Sequence, residues 1–226
     1  MRRCLLTSIF IFLLARVAFC SWVAETAGFA CIFAVSFTLD EQINEVVQRN
    51  PGAEDFFDII TYYGDERFVL GAISAAALSD IILNKEEINY TKNGAIGVAT
   101  SWATTGVLKS SFGRARPWAD RGAYSFSPFS TKQENLSLPS GHTTAAFALS
   151  TLLSRRYGMP GVFFSIATLT AISRVYLGEH WTSDAVAGAA IGWLGSKLMY
   201  HLLEKNSSIT FGFSPKDNLI FAEYRF

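Results

Sequence analysis

Two of the three histidines stand in sequence contexts that favour catalysis. His142 follows Pro139-Ser140-Gly141 and immediately precedes a predicted helix. A Ser-Gly turn at a helix N-terminus presents free backbone N–H groups and the positive end of the helix dipole, which suit a phosphate oxyanion. The segment therefore predicts an anion site with a titratable imidazole beside it.

His180 is the second candidate, because Asp184 follows it by four residues at the start of the last predicted helix. Residues at positions i and i+4 share one helix face, so the Asp184 carboxylate can hold one imidazole nitrogen. That contact would fix the tautomer and leave the other nitrogen free to attack. His201 has no comparable support and is interpreted as a surface or interface residue.

Basic residues recur at matching places along the chain. Lys109 ends one predicted helix and is followed seven residues later by Arg116-Pro117. Arg174 ends another predicted helix, six residues before His180. Each alone would be an ordinary solvated charge. Together with the two histidines they form a pattern that indicates anion binding.

The pattern resembles the type 2 phosphatidic acid phosphatase superfamily, which also contains the vanadium haloperoxidases. Residues 109–117 match K-x6-R-P, residues 139–142 match P-S-G-H, and residues 173–184 match S-R-x5-H-x3-D. One such string is weak, whereas all three in order, with helices between them, are highly specific. The resemblance covers roughly residues 56–203 and leaves both ends of the chain unexplained.

The resemblance implies a role for each matching residue. His180 would be the nucleophile that forms a phosphohistidine, oriented by Asp184. His142 would protonate the leaving group and later activate water. The groups implied to cradle the phosphoryl oxygens are Lys109, Arg116, the Ser140 hydroxyl, the Gly141 N–H and Arg174. Fixed donors of this kind stabilise the charge that spreads over the phosphoryl oxygens during transfer.

Metal chemistry has little support in the sequence. No Asp/Glu cluster suited to two metal ions is evident, so three cations are expected in their place, with no metal and no cofactor. The cysteines, all within the first apolar stretch, lack the spacing of a zinc site or disulfide framework. Arg114, beside the first motif, is interpreted either as a supporting residue or as a solvated charge.

The elements around the motifs predict an all-α fold, a bundle of about five to six core helices. An amphipathic helix is expected from Asn50-Pro51 to Tyr63, and the others span residues 68–83, 94–108, 143–153, 159–173 and 184–203. They are rich in small residues, as close helix packing requires. In an antiparallel trace, the motif residues meet at one end. Alternating residues near the C-terminus predict a β-hairpin.

The N-terminus has the features of a targeting segment. Met1-Arg2-Arg3, an apolar run and small residues near Cys20 predict a signal peptide over residues 1–20, or an uncleaved membrane anchor if residues 28–39 extend it. A lipoprotein signal is a third interpretation. The expected domains are this segment, a phosphatase domain over residues 40–205 and a hairpin tail over residues 206–226.

Composition and charge limit the function and suggest a location. Nineteen basic residues balance nineteen acidic ones, which argues against disorder and against nucleic-acid binding. Non-catalytic cations gather at the end of the bundle opposite the motifs, so the positive-inside rule would put the site on the extracytoplasmic, periplasmic side. The cations counted there are Lys85, Lys92, Arg155, Arg156 and Lys205. A membrane-associated protein of the cell envelope is expected.

The prediction is a metal-independent phosphatase acting on a lipid or other amphiphilic phosphate, such as phosphatidate or a prenyl diphosphate. A hydrophobic fraction of 50% favours lipid substrates. The alternatives are a soluble envelope acid phosphatase, a vanadium-dependent haloperoxidase and a catalytically silent phosphate-binding bundle. The sequence leaves three points open: whether the substrate is a mono- or a diphosphate, whether the short helices span the bilayer, and how many chains assemble.

Overall fold

Helices dominate the structure, a computed structural model. It describes the backbone of residues 2–48, 52–82, 88–205, 209–214 and 219–224, and the side chains of residues 22–48, 52–82 and 90–204. These residues form seven α-helices, which confirms the all-α prediction. The helices are α1 Arg2–Gln48, α2 Glu54–Thr61, α3 Glu66–Ile82, α4 Ile88–Phe112, α5 Gly141–Tyr157, α6 Pro160–Tyr176 and α7 Thr182–Lys205.

Local signals at the helix ends explain several of these bounds. Ser140 caps α5, since its hydroxyl accepts a hydrogen bond from the Thr143 backbone N–H. Gly158 ends the same helix in the left-handed conformation, with φ at 70°. Pro160 occupies the first turn of α6, where its missing N–H costs nothing. The helix expected from Asn50-Pro51 begins at Glu54 instead, and Asn50 and Pro51 lie outside the described residues.

The N-terminal helix α1 joins two apolar patches that the sequence suggests as separate. Within the described residues, one helical segment, Trp22–Gln48, has the length and hydropathy to cross a membrane. The segment contacts α7 through the Glu25–Lys197 ion pair at 2.6 Å and an edge-to-face pair of Phe29 and Trp193. The expected signal peptide over residues 1–20 falls where no side chain is described and stays a prediction.

Close packing of α5 against α7 brings two of the motifs together. The buried face of α5 is built from small and aliphatic residues, including Ala145, Ala148 and Leu149. Two glycines of α7 permit the approach. A Cβ on Gly188 would lie 2.5 Å from the Ser140 carbonyl oxygen, and one on Gly192 would lie 2.4 Å from the Thr144 carbonyl oxygen. Side chains at these positions would push the start of α7 away from the start of α5.

Arg156 is one of the cations at the end of the bundle opposite the motifs. Its side chain is buried and paired with Asp80, which also accepts a hydrogen bond from Thr91 at 2.6 Å. The Arg156 guanidinium further donates to Ser79 at 3.3 Å. Asp80 lies on α3, Thr91 on α4 and Arg156 on α5, so this side chain joins three helices.

The chain ends in two antiparallel strands, β1 Ile209–Ser214 and β2 Leu219–Tyr224, in the segment where the sequence predicts a hairpin. Their register pairs Ile209 with Tyr224 and Ser214 with Leu219. The predicted turn, residues 215–218, lies outside the described residues.

Candidate active site

The three motifs meet at one end of the bundle. Lys109 lies in the last turn of α4, His142 in the first turn of α5, Arg174 in the last turn of α6 and His180 in the turn before α7. The charges of Lys109, Arg174 and His142 all act on His180, as does that of Arg116. A cavity of about 490 Å³ opens here, with Lys109, Gly141 and His142 in its wall. The structure thus assembles residues that lie far apart in the sequence.

His180 and Asp184 are close neighbours, and the Ser137 hydroxyl lies beside both of them. The His180 Nδ1 is 3.8 Å from the Asp184 Oδ2, too far for a hydrogen bond. The Ser137 hydroxyl donates to that oxygen at 2.5 Å and lies 3.5 Å from the Nδ1. The helix α7 begins only at Thr182, so His180 is outside it, and Asp184 caps the turn by accepting the Trp181 N–H at 3.0 Å.

Arg114 is buried beside Asp184 rather than solvated. Its Nη1 donates to the Asp184 Oδ1 at 2.6 Å, and its Nη2 donates to the Asp40 Oδ2 at 2.7 Å. Its Nε donates to the Ala123 carbonyl oxygen at 2.8 Å. None of this side chain is exposed, so the interpretation as a solvated charge is wrong. Arg114 fixes the orientation of the carboxylate that faces His180.

Asp40 is a member of the site that the sequence analysis missed. It lies on α1, and its carboxylate accepts hydrogen bonds from the Ser183 N–H at 2.9 Å and the Ser183 hydroxyl at 2.5 Å. With Arg114 it connects α1 to the start of α7. The available signal was an acidic residue directly after the apolar patch of residues 28–39. We call Asp40, Arg114 and Asp184 the site-end cluster.

Two of the three predicted phosphate-binding cations share one carboxylate. Arg116 donates through its Nη1 to the Glu179 Oε2, and the Arg174 Nη2 lies 3.6 Å from the same oxygen. Arg174 also donates to the Thr61 hydroxyl at 2.9 Å. Lys109 donates through its Nζ to the Leu136 carbonyl oxygen at 2.6 Å. Glu179 is therefore a further site residue that the sequence analysis did not single out.

Ser140 and Gly141 form the start of α5 beside these cations. The Ser140 hydroxyl accepts from the Thr143 hydroxyl at 3.0 Å, and the Ser140 N–H donates to the Asp184 carbonyl oxygen at 2.9 Å. Gly141 faces Lys109, since a Cβ at this position would lie 3.6 Å from the Lys109 Cε. The helix N-terminus and the lysine therefore border the same space.

Burial and like charges favour the neutral forms of the three titratable bases. Burial lowers the pKa of Lys109 to about 7, with a further contribution from Arg116. Burial, and then Arg174, lowers the pKa of His142 to about 4. Burial, and then Lys109, holds the pKa of His180 well below its usual range. A neutral imidazole has a free lone pair, so His180 is in the state that a nucleophile needs.

Side chains that could ligate a metal ion do not cluster in the part of the chain that the structure describes. No group of three or more His, Cys, Asp or Glu side chains suited to holding a metal ion occurs there. The groups of the site suited to an anion are side-chain cations and a helix N-terminus.

Comparisons with known proteins agree with the motifs. The model of the PAP2 superfamily matches residues 94–208. A lipid A 1-phosphatase from Rhizobium etli is 30% identical over 187 residues, covering 72% of this chain and 79% of that protein. A lipid A 1-phosphatase from Porphyromonas gingivalis is 31% identical over 171 residues, which cover 74% of this chain but only 35% of that protein.

The fold also matches a solved structure, the first transmembrane PAP2 type phosphatidylglycerolphosphate phosphatase from Bacillus subtilis. The match has a TM-score of 0.62 at 24% identity and covers 81% of this chain and 96% of that one. At this identity it supports the fold alone. The family match over half the chain and the similarity to the Rhizobium etli protein confirm the resemblance, and this chain belongs to the PAP2 superfamily.

Proposed function

We propose that this protein is a phosphatase that hydrolyses the phosphate ester of a lipid or other amphiphile through a phosphohistidine on His180. The observation that carries the proposal is the position of His180. Its neutral imidazole is only 2% exposed, is backed by a buried carboxylate and lies among three cations. Such a site can bind a phosphoryl group and attack it with the same set of residues.

The first step transfers the phosphoryl group to the protein. Lys109, Arg116 and Arg174 bind its oxygens, and the Gly141 N–H adds the positive end of α5. The free ring nitrogen of His180 forms a bond to phosphorus as the bond to the leaving oxygen breaks. His142 gives that oxygen a proton, because the bound anion raises the pKa of this imidazole in the complex. The alcohol leaves, and a phosphohistidine remains.

The second step returns the enzyme to its starting state. A water molecule enters beside His142, which is now neutral and takes a proton from it. The water oxygen forms a bond to phosphorus as the bond to His180 breaks. Asp184, held by Arg114 and Ser137, stabilises the positive charge on His180 while phosphorus is attached. Inorganic phosphate then leaves.

The names of the relatives and the apolar helix support a lipid substrate. Both relatives described above are named for the hydrolysis of lipid A 1-phosphate, a phosphate on an acylated carrier. The segment Trp22–Gln48 can hold the protein at a membrane, where such substrates reside. We propose membrane association in the cell envelope, with the site on the extracytoplasmic side. This proposal includes a signal or anchor over residues 1–20, a phosphatase domain over residues 40–205 and a hairpin tail over residues 206–226.

The proposal is tested by phosphate release from detergent-purified protein in the presence of EDTA. Lipid A, phosphatidate, a prenyl diphosphate and p-nitrophenyl phosphate are offered side by side. We expect turnover of a lipid that survives EDTA and falls to background in His180→Ala. His201→Ala is the matched control, because His201 is an exposed histidine in the last turns of α7, at the other end of this helix from the motif.

Three results would contradict parts of the proposal. Release that continues in His180→Ala excludes the phosphohistidine mechanism. Release that stops with EDTA shows a metal requirement. Faster turnover of p-nitrophenyl phosphate than of any lipid favours the soluble acid-phosphatase alternative. Trapping an acid-labile, base-stable phosphoprotein in the wild type, and not in His180→Ala, would identify the intermediate directly.

A further inference from the structure

Glu179 places a carboxylate where a phosphate is expected. It immediately precedes His180, and its Oε2 accepts a hydrogen bond from the Arg116 Nη1. The Arg174 Nη2 lies 3.6 Å from the same oxygen. The backbone holds the residue in place, because the Glu179 and His180 N–H groups both donate to the Arg174 carbonyl oxygen at 3.1 Å. One carboxylate therefore joins two cations of the proposed phosphate site.

Carboxylate and phosphate oxygens are alternative acceptors for the same guanidinium groups. The side chains of Arg116 and Arg174 are largely buried, at 14% and 10% exposure, whereas Glu179 is 36% exposed. The carboxylate can consequently swing towards solvent more easily than the arginines can. The Arg174 Nε, buried and without a hydrogen-bond partner, is a donor that a tetrahedral anion could engage.

Glu179 also lowers the positive charge that an incoming substrate meets. Its charge acts on Lys109, Arg174 and His142 as well as on Arg116. A phosphomonoester carries about two negative charges at neutral pH, and a diphosphate carries more. Each extra negative charge on the substrate is repelled by the Glu179 carboxylate, which lies among the binding cations.

We propose that Glu179 is a positioning and specificity-determining residue of this site. In the empty site it holds Arg116 and Arg174 together, and it competes with inorganic phosphate for them, which speeds product release. It also favours monophosphate over diphosphate substrates. The proposal rests on the phosphatase function proposed above and adds a role for a residue at an unspecified position of the third motif.

The test compares Glu179→Gln and Glu179→Ala with the wild type. Glutamine keeps the shape and the acceptor oxygen and removes the charge. We expect both variants to bind inorganic phosphate about tenfold more tightly, as loss of one charged competitor implies, with a lower KM and a kcat that does not rise. The ratio of kcat/KM for a prenyl diphosphate to that for phosphatidate should increase about tenfold.

Glu134→Gln is the matched control. Glu134 is a surface carboxylate at the same end of the bundle, 3.7 Å from Arg121. Its removal changes the net charge equally and should leave phosphate affinity and substrate preference as they are. A tenfold effect in this control would overturn the specific role of Glu179, because net charge alone would then explain the change.

Tungstate affinity, measured by calorimetry, separates this proposal from the proposed function. Tighter tungstate binding in both Glu179 variants supports the role of Glu179 even if no tested lipid is hydrolysed. A purely structural role would leave Glu179→Gln like the wild type and weaken binding only in Glu179→Ala. Unchanged or weaker tungstate binding in Glu179→Gln overturns the proposal, whatever the phosphatase activity of the wild type.

Discussion

Two arginine–carboxylate clusters are buried in the same bundle, one at each end. The site-end cluster sets Arg114 between Asp40 and Asp184. The second, which we call the far-end cluster, consists of Arg156, Asp80 and the hydroxyls of Ser79 and Thr91. Both remove charges from water at a cost of several kcal/mol per ion, which the pairing offsets only with good geometry.

The clusters differ in charge and in what they touch. The site-end cluster has two carboxylates for one guanidinium, and its Asp184 reaches towards His180 through Ser137. The far-end cluster has one carboxylate, and its Arg156 Nε is buried with no hydrogen-bond partner. The comparison indicates that the far-end cluster holds helices together, whereas the site-end cluster also orients the carboxylate that faces His180.

The largest contrast is expected from removing each arginine. Arg114→Met leaves two buried carboxylates facing each other, and Arg156→Met leaves one, so each should lower the free energy of unfolding by about 3–5 kcal/mol. Only Arg114→Met should also lower kcat, by about a hundredfold, because Asp184 loses its orientation. Thermal unfolding in detergent measures the change in stability. Phosphate release, measured at a temperature below the lower of the two variants' unfolding midpoints, measures the change in kcat. Equal loss of activity in Arg156→Met would contradict the division of roles.

A smaller contrast is expected from neutralising one carboxylate of each cluster. Asp40→Asn keeps the shape of the side chain and leaves Arg114 paired with Asp184 alone. We expect kcat to fall about tenfold, as for a lost charge-assisted hydrogen bond. Asp80→Asn should leave kcat within about twofold, since Asp80 and its partners Thr91 and Arg156 lie at the end of the bundle opposite the motifs. Kinetics at constant lipid concentration compare the two variants. A normal kcat in Asp40→Asn would show that Asp40 does not contribute to catalysis.

The pH dependence of anion binding sharpens the comparison, because arginines stay charged while Lys109 titrates. The pKa of Lys109 is lowered to about 7 in the empty site. Below this pH the ammonium attracts the anion, and above it the neutral amine does not. Tungstate affinity should therefore fall as pH rises through about 7, by up to tenfold per unit. Lys109→Met should remove this dependence, and Lys197→Met should retain it.

The smallest contrast concerns one hydroxyl that donates to a carboxylate of each cluster, Ser137 to Asp184 and Thr91 to Asp80. Ser137→Ala and Thr91→Val should each lower the free energy of unfolding by about 1 kcal/mol through a lost hydrogen bond. Ser137→Ala should also lower kcat about threefold. The effect is small because Arg114 and the Trp181 N–H still hold Asp184. A hundredfold loss would assign Ser137 a direct part in the proton path to His180.

Local sequence was sufficient for the family, the helical class and the order of the motifs. Signals such as the Ser140 cap and Pro160 act within one turn, so they are readable from neighbouring residues. The continuity of α1 and the exact start of α2 were less predictable, because helix ends depend on packing as well as on caps. The hypothesis of a direct contact between His180 and Asp184 assumed that both residues lie on one helix. The helix α7 begins only at Thr182, so His180 lies outside it.

By itself, the sequence determined which side chains could do phosphate chemistry and in what order they occur. Only the tertiary structure decided the partners of those side chains. Neither partner of Arg114 or Arg156 was predicted: Arg114 is paired with Asp40 across 74 positions of the chain, and Arg156 is paired with Asp80 across 76. The pairing follows from how the helices pack, since burial makes a nearby opposite charge necessary, and no local pattern encodes that requirement.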